Sequence, residues 1–248
     1  MIFNLTQPVL DSAPKFTYTG TYEYIDDGGG NWRIKFLTSG TFTPMEDMVI
    51  DAFLVGGGGG GGQNNSTYKL SSGGGGGYTT TQLNIALTAK TAYQVVIGAG
   101  GAPATTLNTG NGGKTTAFSQ TADGGKEGIR RKSGRGAVAD GGAGGSGGGN
   151  CEEYAQIKVY DGQSDGAGGT HAGEGQVTTT REFEESTGEL YAGGGGAYVY
   201  NGAKGNGGAG GGANGGESAV DNTGGGGGGG GYGGSGIVVI RKHKEAAA

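Results

Sequence analysis

The sequence has little of what stabilises an ordinary globular or secreted protein. Its 248 residues include one cysteine, Cys151, so no disulfide can form within the chain. This argues against a small secreted domain held together by disulfides. Only 32 % of the residues are hydrophobic, too few for a conventional side-chain core throughout the chain. The glycines follow no strict Gly-X-Y repeat, which excludes a collagen triple helix.

Other absences limit the partners of the protein. A net charge of −5 argues against a nucleic-acid or anionic-membrane surface. The basic cluster Arg130, Arg131, Lys132 and Arg135 is a local exception, either a solvated loop or a contact for a phosphate or an acidic sugar. No apolar run approaches the roughly 20 residues of a membrane helix. The start, MIFNLTQPVLDSAPKF, has no features of a signal peptide, so we expect synthesis in the cytosol without membrane insertion.

Motifs for catalysis or cofactor binding are also missing. GRGAVA at 134–139 satisfies only a relaxed dinucleotide-binding pattern and has no strand–helix context. His171 and His243 are too far apart in sequence to form a local metal site, and Cys151 has no paired ligand nearby. The adjacent carboxylates Glu152 and Glu153 would point to opposite faces of a strand. We therefore expect no enzyme activity, no cofactor and no metal.

Glycine is what the sequence has instead, with 66 of 248 residues. The glycine-rich segments are 56–62, 73–77, 141–149, 193–196, 207–216 and 224–236. Inside them the interruptions are Ala, Ser, Asn and one Tyr, whereas charged residues are confined to the loops between. A flexible linker would accept Ser, Thr, Glu or Lys as readily as Gly. The segregation therefore indicates a steric requirement for glycine.

Polyglycine can meet such a requirement as a left-handed helix of the polyproline II type. This helix has three residues per turn and no internal hydrogen bonds, so its N–H and C=O groups point sideways towards neighbouring helices. Ordering a residue costs about 1–2 kcal/mol, while a net hydrogen bond contributes about 0.5–1.5 kcal/mol, so one isolated segment stays disordered. We predict a bundle of several helices with a core of backbone. Gly59 should then be intolerant of a side chain, whereas Gly162, in a predicted loop, should tolerate one.

The remaining segments are typical of strands, and helical periodicity is almost absent. KFTYTGTYEYIDDGGGNWRIKF predicts a hairpin, with Tyr18, Tyr22 and Tyr24 alternating on one arm and Trp32, Ile34 and Phe36 on the other. MVIDAFLV, TTTQLNIALTA, TAYQVVIGAGG and GSGIVVIRK predict further strands, and TTTREFEESTGELYA predicts a hairpin that turns at Thr187 and Gly188. We predict an all-β fold, a small β-sheet scaffold enclosing a polyglycine II helix bundle, essentially without α-helix. Residues 1–40 would form an N-terminal attachment segment and 41–248 the glycine-rich domain with its display loops.

Three motifs carry a resemblance to a known family. SGTFTPMEDMVIDAFLVGGGGGGG, YQVVIGAGG and GGGGGGGGYGGSGIVVIRK, spread over residues 39–242, resemble the glycine-rich domain of phage and prophage tail proteins. The architecture is similar to that of adhesins at the tips of T-even-like long tail fibres, in which polyglycine helices display loops that touch the host. A glycine-rich region of leukocyte and anaplastic lymphoma receptor kinases is also similar. Those kinases are secreted and disulfide-bonded, and this chain departs from them with its single cysteine.

The resemblance implies a receptor-binding protein of the virion tail, with other tail proteins and a bacterial surface protein or glycan as partners. Six loops would be displayed: 63–72, 126–140, 150–165, 170–192, 197–206 and 214–223. Aromatic and cationic side chains dominate binding hot spots, and the candidate contact residues in these loops are Tyr68, Lys69, Arg130, Arg131, Tyr154, Tyr160, His171, Tyr198 and Tyr200. Two alternatives stay open: a structural spacer or cap of the tail, and an ice-binding or matrix protein. Irregular charged loops argue against the ice-binding alternative.

Overall fold

The structure, a computed structural model, describes residues 13–105 and 109–243. Within these stretches the fold is all-β, with one 3₁₀ turn at Glu182–Glu184 and no α-helix, which confirms the predicted fold class. The strands are β1 (Phe16–Tyr18), β2 (Tyr22–Gly28), β3 (Asn31–Phe36), β4 (Gly40–Pro44), β5 (Met48–Val55), β6 (Leu70–Ser71), β7 (Thr79–Leu87), β8 (Tyr93–Val96), β9 (Thr115–Ala117), β10 (Gln120–Ala122), β11 (Arg130–Arg131), β12 (Ala137–Ala139), β13 (Cys151–Glu153), β14 (Ile157–Val159), β15 (Tyr198–Val199) and β16 (Ile237–Lys242). No helix in the described residues has the length and apolarity needed to cross a membrane.

Two five-stranded antiparallel sheets pack face to face at one end of the molecule, which we name the β end. Their strand orders are β2-β3-β16-β5-β7 and β1-β4-β8-β9-β10. Alternating apolar residues in the strands meet between the sheets, among them Phe36, Phe42, Leu54 and Ile240, all fully buried. This sandwich holds the largest cluster of buried side chains in the described residues, in agreement with the predicted β-sheet scaffold.

The first predicted hairpin forms from β2 and β3, with Tyr22 opposite Phe36. The placement of Tyr18 on the same arm as Tyr22 was wrong, because Tyr18 lies in β1, which pairs with β4 in the other sheet. The chain crosses between the sheets at residues 19–21, where a Cβ on Gly20 would lie 2.7 Å from the Ser39 carbonyl oxygen. The even spacing of Tyr18, Tyr22 and Tyr24 therefore extends over residues 19–21, where the chain passes from one sheet to the other.

The second predicted hairpin is reduced to a turn. A single antiparallel bridge joins Arg181 to Leu190, and no strands form on either side of it. Phe183 and Glu184 have φ of 54° and 60°, in the left-handed region, and this breaks the extended backbone. The break places the Phe183 ring 6.0 Å from that of Phe53, on the second face of the β5 sheet.

The proposed boundary at residue 40 remains a prediction. β3, which precedes it, is hydrogen-bonded to β16 near the other end of the described chain, with Phe36 opposite Val238. Residues 31–36 therefore belong to the same sheet as the strands that lead into and out of the glycine-rich region.

The glycine-rich segments form a bundle, which begins where β5 ends. Successive N–H groups of residues 56–62 donate in rotation to three neighbouring segments, and each neighbour recurs at every third residue. These neighbours are 72–78, 110–113 and 231–234, and the carbonyls of 57–61 accept from 101–104, 125–128 and Gly227. A repeat of three with all polar groups directed sideways is the geometry of the polyglycine II helix. Residues 56–62 are thus surrounded on six sides by backbone.

Close packing of backbone explains why charged side chains are excluded from these segments. A Cβ on Gly58 would lie 1.9 Å from the Gly225 carbonyl oxygen, and one on Gly59 would lie 2.0 Å from that of Lys126. The expectation that Gly162 would tolerate a side chain was wrong. Its N–H donates to the Asn206 carbonyl at 2.8 Å, and a Cβ there would lie 1.9 Å from the Gly194 carbonyl oxygen.

The bundle is larger than its glycine blocks, because helices on its surface carry side chains. In residues 122–128 the buried positions are Ala122, Gly125 and Gly128, one in every three, while Lys126 faces solvent. The same repeat runs through Val95, Gly98, Gly101 and Ala104. At least one position in each turn of these helices faces solvent and accepts a larger or charged side chain, so they resemble ordinary loops in sequence.

Two three-stranded sheets close the bundle at the end opposite the sandwich, which we name the loop end. Their orders are β11-β6-β15 and β12-β13-β14. They share a small core of buried side chains, namely Leu70, Ala139, Cys151, Ala197 and Val199. Met45 bonds Lys15, and His243 bonds Val49, so the first and last described residues lie at the β end.

Candidate functional site

The structure brings four of the six predicted loops together at the loop end. These are 63–72, the later part of 126–140, the first part of 150–165, and 197–206. Loop 170–192 is divided: His171 reaches the loop end, while Phe183 and Tyr191 pack against Phe53 at the β end. Loop 214–223 runs along the bundle, where Ala219 bonds Tyr232 and Thr223 accepts from Ala192.

A group of cations and a tyrosine forms around the β11-β6-β15 sheet. Arg130 pairs with Ser71, and Ser71 pairs with Tyr198 on the opposite strand. The centre of the Tyr68 ring lies 4.2 Å from the Arg130 guanidinium and 5.8 Å from Lys132 Nζ. We define the cationic patch as Tyr68, Lys69, Arg130, Arg131, Lys132 and Arg135. Tyr198 and Tyr200 flank it, and the Tyr200 N–H donates to the Lys69 carbonyl at 2.9 Å.

Most cations of the patch have no carboxylate partner. Among the described residues, Lys69, Arg131, Lys132 and Arg135 make no ion pair, and Arg131 Nε donates instead to the Val138 carbonyl at 3.2 Å. Glu153 lies beside the turn that carries them. Its carboxylate accepts from Ser133 Oγ at 2.5 Å and from the Gly134 N–H at 2.8 Å. The patch is therefore a local positive region on an acidic chain.

A second group lines a cleft of about 410 Å³ beside the β13–β14 hairpin. The rings of Tyr160 and His171 are stacked, with centroids 4.3 Å apart and planes 3° from parallel. Glu152, only 8 % exposed, accepts from Tyr160 Oη at 3.4 Å and lies 2.9 Å from His171 Nδ1. Desolvation and the Glu152 carboxylate raise the pKa of the Tyr160 hydroxyl. Tyr154, 60 % exposed, stands at the rim.

The arrangement of the cleft suits binding of a polar ligand. An aromatic stack offers a flat apolar surface, and a carboxylate held by neighbouring donors offers acceptors in fixed positions. Burial raises the pKa of the Cys151 thiol to about 11, so it stays protonated at neutral pH and is a poor nucleophile. Within the described residues no three His, Cys, Asp or Glu side chains are grouped so as to hold a metal ion.

All nine predicted contact residues lie in one or other of these groups or beside them. Sequence reasoning missed Glu152 and Lys158 as site residues and treated Glu152 only as a failed catalytic group. They are directly opposite each other in the β13–β14 hairpin. The alternation in CEEYAQIKVY was the available signal, because a turn at 154–156 places residues 152 and 158 on one face.

A cleft of about 340 Å³ at the β end was not predicted. It is lined by ion pairs: Arg33 Nη1 lies 2.8 Å from Glu182 Oε1, and Arg241 Nη1 lies 2.6 Å from Glu185 Oε1. Hydrogen bonding to Asp27, the largest contribution, raises the pKa of Arg33, with Glu182 acting in the same direction against burial. The Arg241 guanidinium also lies 4.0 Å from the centre of the Phe183 ring. These charges hold the 178–191 loop against the sandwich.

Comparison with known proteins agrees with the architecture. A family model for a glycine-rich domain matches residues 37–243, which include the bundle and the loop end. No curated protein gives a significant match to the chain.

Proposed function

The chain belongs to the glycine-rich domain family, and we propose that it is a receptor-binding protein of a phage or prophage tail fibre. In this proposal the loop end contacts a protein or glycan on the bacterial surface. The observation that supports it most directly is the gathering of the nine predicted aromatic and cationic residues around two neighbouring sheets at one end of the bundle.

The bundle and the loops differ in what they can contribute to recognition. Glycine has no side chain with which to discriminate partners, whereas the loops supply Tyr, Arg, Lys, His and Glu. Binding residues are commonly placed on loops that a rigid scaffold positions. A bundle whose backbone groups bond neighbours on six sides is such a scaffold, because its loops begin and end at fixed points.

The fold also supports an orientation for the proposal. The first and last described residues lie at the β end, where other tail proteins would bind, and the loop end would face the host. We propose that the protein is made in the bacterial cytoplasm and functions in the virion tail. The proposal involves no catalysis, cofactor or nucleic acid.

Adhesion of the purified full chain to intact bacteria tests the proposal. Fluorescently labelled protein is applied to a panel of cells from its source community, and binding is measured by flow cytometry. We expect Tyr154→Ser with Tyr200→Ser to abolish adhesion to the bound strain. The matched control is Tyr22→Ser with Tyr24→Ser, which removes two tyrosines of similar exposure, 43 % and 39 %, from the β end.

Two outcomes would count against an adhesin. One is a folded protein that adheres to no cell in the panel, and the other is equal adhesion by both double variants and the unsubstituted chain. A structural spacer or cap of the tail would then be the better proposal. An irregular, charged loop end disfavours ice binding, which calls for a flat and regular array of Thr or other small residues.

A further inference from the structure

The β11-β6-β15 sheet presents its side chains in rows. Residues directly opposite on antiparallel strands share a face, so Arg130, Ser71 and Tyr198 form one row, in which Ser71 is buried and donates to the Gly62 carbonyl of the bundle. The second row consists of Arg131, Leu70 and Val199, of which Leu70 and Val199 are buried in the loop-end core and Arg131, at the sheet edge, is exposed. The rows are therefore fixed to the bundle rather than carried on a free loop.

The turn that follows β11 adds exposed cations beside these rows. Residues 131–136 are all exposed, and a Cβ on Gly134 or Gly136 would meet no atom within 4 Å. Lys132 returns from this turn towards Tyr68, where the ring also contacts Arg130. Cation–π contacts hold these charges in place without neutralising them. Space is open on the solvent side of the patch.

The cations of the patch differ in their partners from the cations around the β-end cleft. At the β end, Arg33, Lys35 and Arg241 each lie within 3.0 Å of a carboxylate oxygen. In the patch, Lys69, Arg131, Lys132 and Arg135 have no such partner in the described residues. Fixed, clustered and unpaired cations repel one another, and an external anion with several charges would relieve that repulsion.

We infer that the cationic patch is a binding site for an anionic polysaccharide, a chain of sugars that carries phosphate or carboxylate groups. Arg and Lys recognise both kinds of anion, and the flanking Tyr198 and Tyr200 offer rings against which a sugar can lie. The inference rests on the proposed function only in placing this polymer on the surface of the host. Nucleic acid is the competing polyanion, since a base can also stack on an open tyrosine ring, and an oligonucleotide probe in the experiment distinguishes the two.

Binding to defined polymers tests the inference with the full chain. The probes are polygalacturonate for carboxylate, poly(glycerol phosphate) for phosphate, neutral dextran and a thymidine oligonucleotide, each immobilised for biolayer interferometry. Affinity is measured at about 50 and about 200 mM NaCl, a range over which several released counterions change it strongly. The triple variant is Lys69→Gln, Arg131→Gln and Lys132→Gln. A matched control, Lys15→Gln, Lys114→Gln and Lys126→Gln, removes the same three charges from exposed positions outside the patch.

We expect binding to at least one of the two anionic polymers, weakened about tenfold or more by the patch variant and by salt, and little changed in the control. Binding of only one polymer also supports the inference and identifies the anionic group. Equally weakened polymer binding in the patch variant and in the control would mean that only net charge matters, and it would overturn the inference. Equal affinity for dextran, or tighter binding of the oligonucleotide, would overturn it as well.

Cell adhesion separates this inference from the proposed function. A protein that binds the polymers through the patch but adheres to no intact cell would support the polysaccharide site and contradict the adhesin. A protein that adheres to cells but binds neither anionic polymer would support the adhesin and contradict the polysaccharide site.

Discussion

At the β end, Arg241 lies 2.9 Å from Asp51 and 2.6 Å from Glu185, whereas at the loop end Lys69, Arg131 and Lys132 make no ion pair within the described residues. The Asp51 side chain is buried, so its charge must be paired to be tolerated. Exposed cations remain hydrated and need no partner. The Arg241 charge therefore stabilises the fold at the β end, whereas the charges of Lys69, Arg131 and Lys132 stay available to an external ligand at the loop end.

The bundle between the two ends keeps these roles separate. Its interior helix, residues 56–62, has backbone on all sides and offers no side chain to either end. Substitutions at the loop end should then change binding without reaching the sandwich, and substitutions in the bundle should affect both. Single substitutions in the bundle, at the β end and at the loop end should therefore differ in their effects on stability.

Gly59→Ala should unfold the protein or cost at least about 4 kcal/mol, the range of severe core defects. The new Cβ would lie 2.0 Å from the Lys126 carbonyl oxygen and 2.4 Å from its carbon, so two helices would have to separate and lose shared hydrogen bonds. Urea unfolding followed by circular dichroism measures the loss. The control is Gly134→Ala at the loop end, where the Cβ meets nothing within 4 Å. Equal tolerance at both glycines would contradict a packed bundle.

How much of this bundle the sequence predicts depends on where a helix lies. Unbroken blocks such as 56–62 were predicted because an interior helix excludes side chains at every position. Residues 126–129 were assigned to a loop because only Gly128 among them faces inward, and Lys126 is compatible with either interpretation. The register between helices depends on hydrogen bonds among segments far apart in sequence, and no local pattern encodes it.

The candidate site shows the same limit. The residue types suited to binding were predicted, because exposed aromatic and cationic residues in loops need no partner to be recognised. Their grouping was not, since Tyr68 meets Arg130 only when β6 pairs with β11. Glu152 was missed because its role depends on the rings of Tyr160 and His171, which reach it from different turns.

Asp51→Asn should lower the free energy of unfolding by about 3 kcal/mol, as expected when one partner of a buried ion pair is removed. Asp51 accepts from Arg241 Nε at 2.9 Å and from the Asn84 N–H at 3.1 Å, and it lies 2.5 Å from His243 Nδ1. Glu46→Gln is the control, because the Lys15–Glu46 pair at 3.4 Å is exposed and should contribute less than about 1 kcal/mol. Similar decreases in the free energy of unfolding in the two variants would mean that burial does not strengthen the contribution of the Asp51 ion pair.

The contribution of the buried Asp51 carboxylate to stability should also depend on pH, and we expect this effect to be smaller than that of the substitution. Burial alone would raise the pKa of Asp51, but hydrogen bonds from His243, Asn84 and Arg241 outweigh it and lower this pKa below 3.8. The contribution of this carboxylate to stability is then present above that value and is lost as the pH falls through the folded-state pKa. The difference in melting temperature between the unsubstituted chain and Asp51→Asn should narrow from about pH 5 to about pH 2. A difference that stays constant over this range would mean that Asp51 acts through packing rather than charge.

The smallest expected effect is on the free energy of unfolding, which substitution of two lysines should change in opposite directions. Lys35 and Lys132 each lie 5.8 Å from the centre of a tyrosine ring, Tyr191 and Tyr68 respectively. Lys35 Nζ also lies 2.7 Å from Glu189 Oε2, whereas Lys132 makes no ion pair in the described residues and shares the Tyr68 ring with Arg130. Lys35→Gln should therefore lower the free energy of unfolding by up to about 1 kcal/mol.

Lys132→Gln should leave the free energy of unfolding unchanged or raise it by a few tenths of a kcal/mol at low salt, because like charges repel. About 1 M NaCl should abolish that gain by screening. Urea unfolding at the two salt concentrations measures both variants. A loss in Lys132→Gln as large as that in Lys35→Gln would make the patch cations part of the scaffold and end the contrast between the two ends.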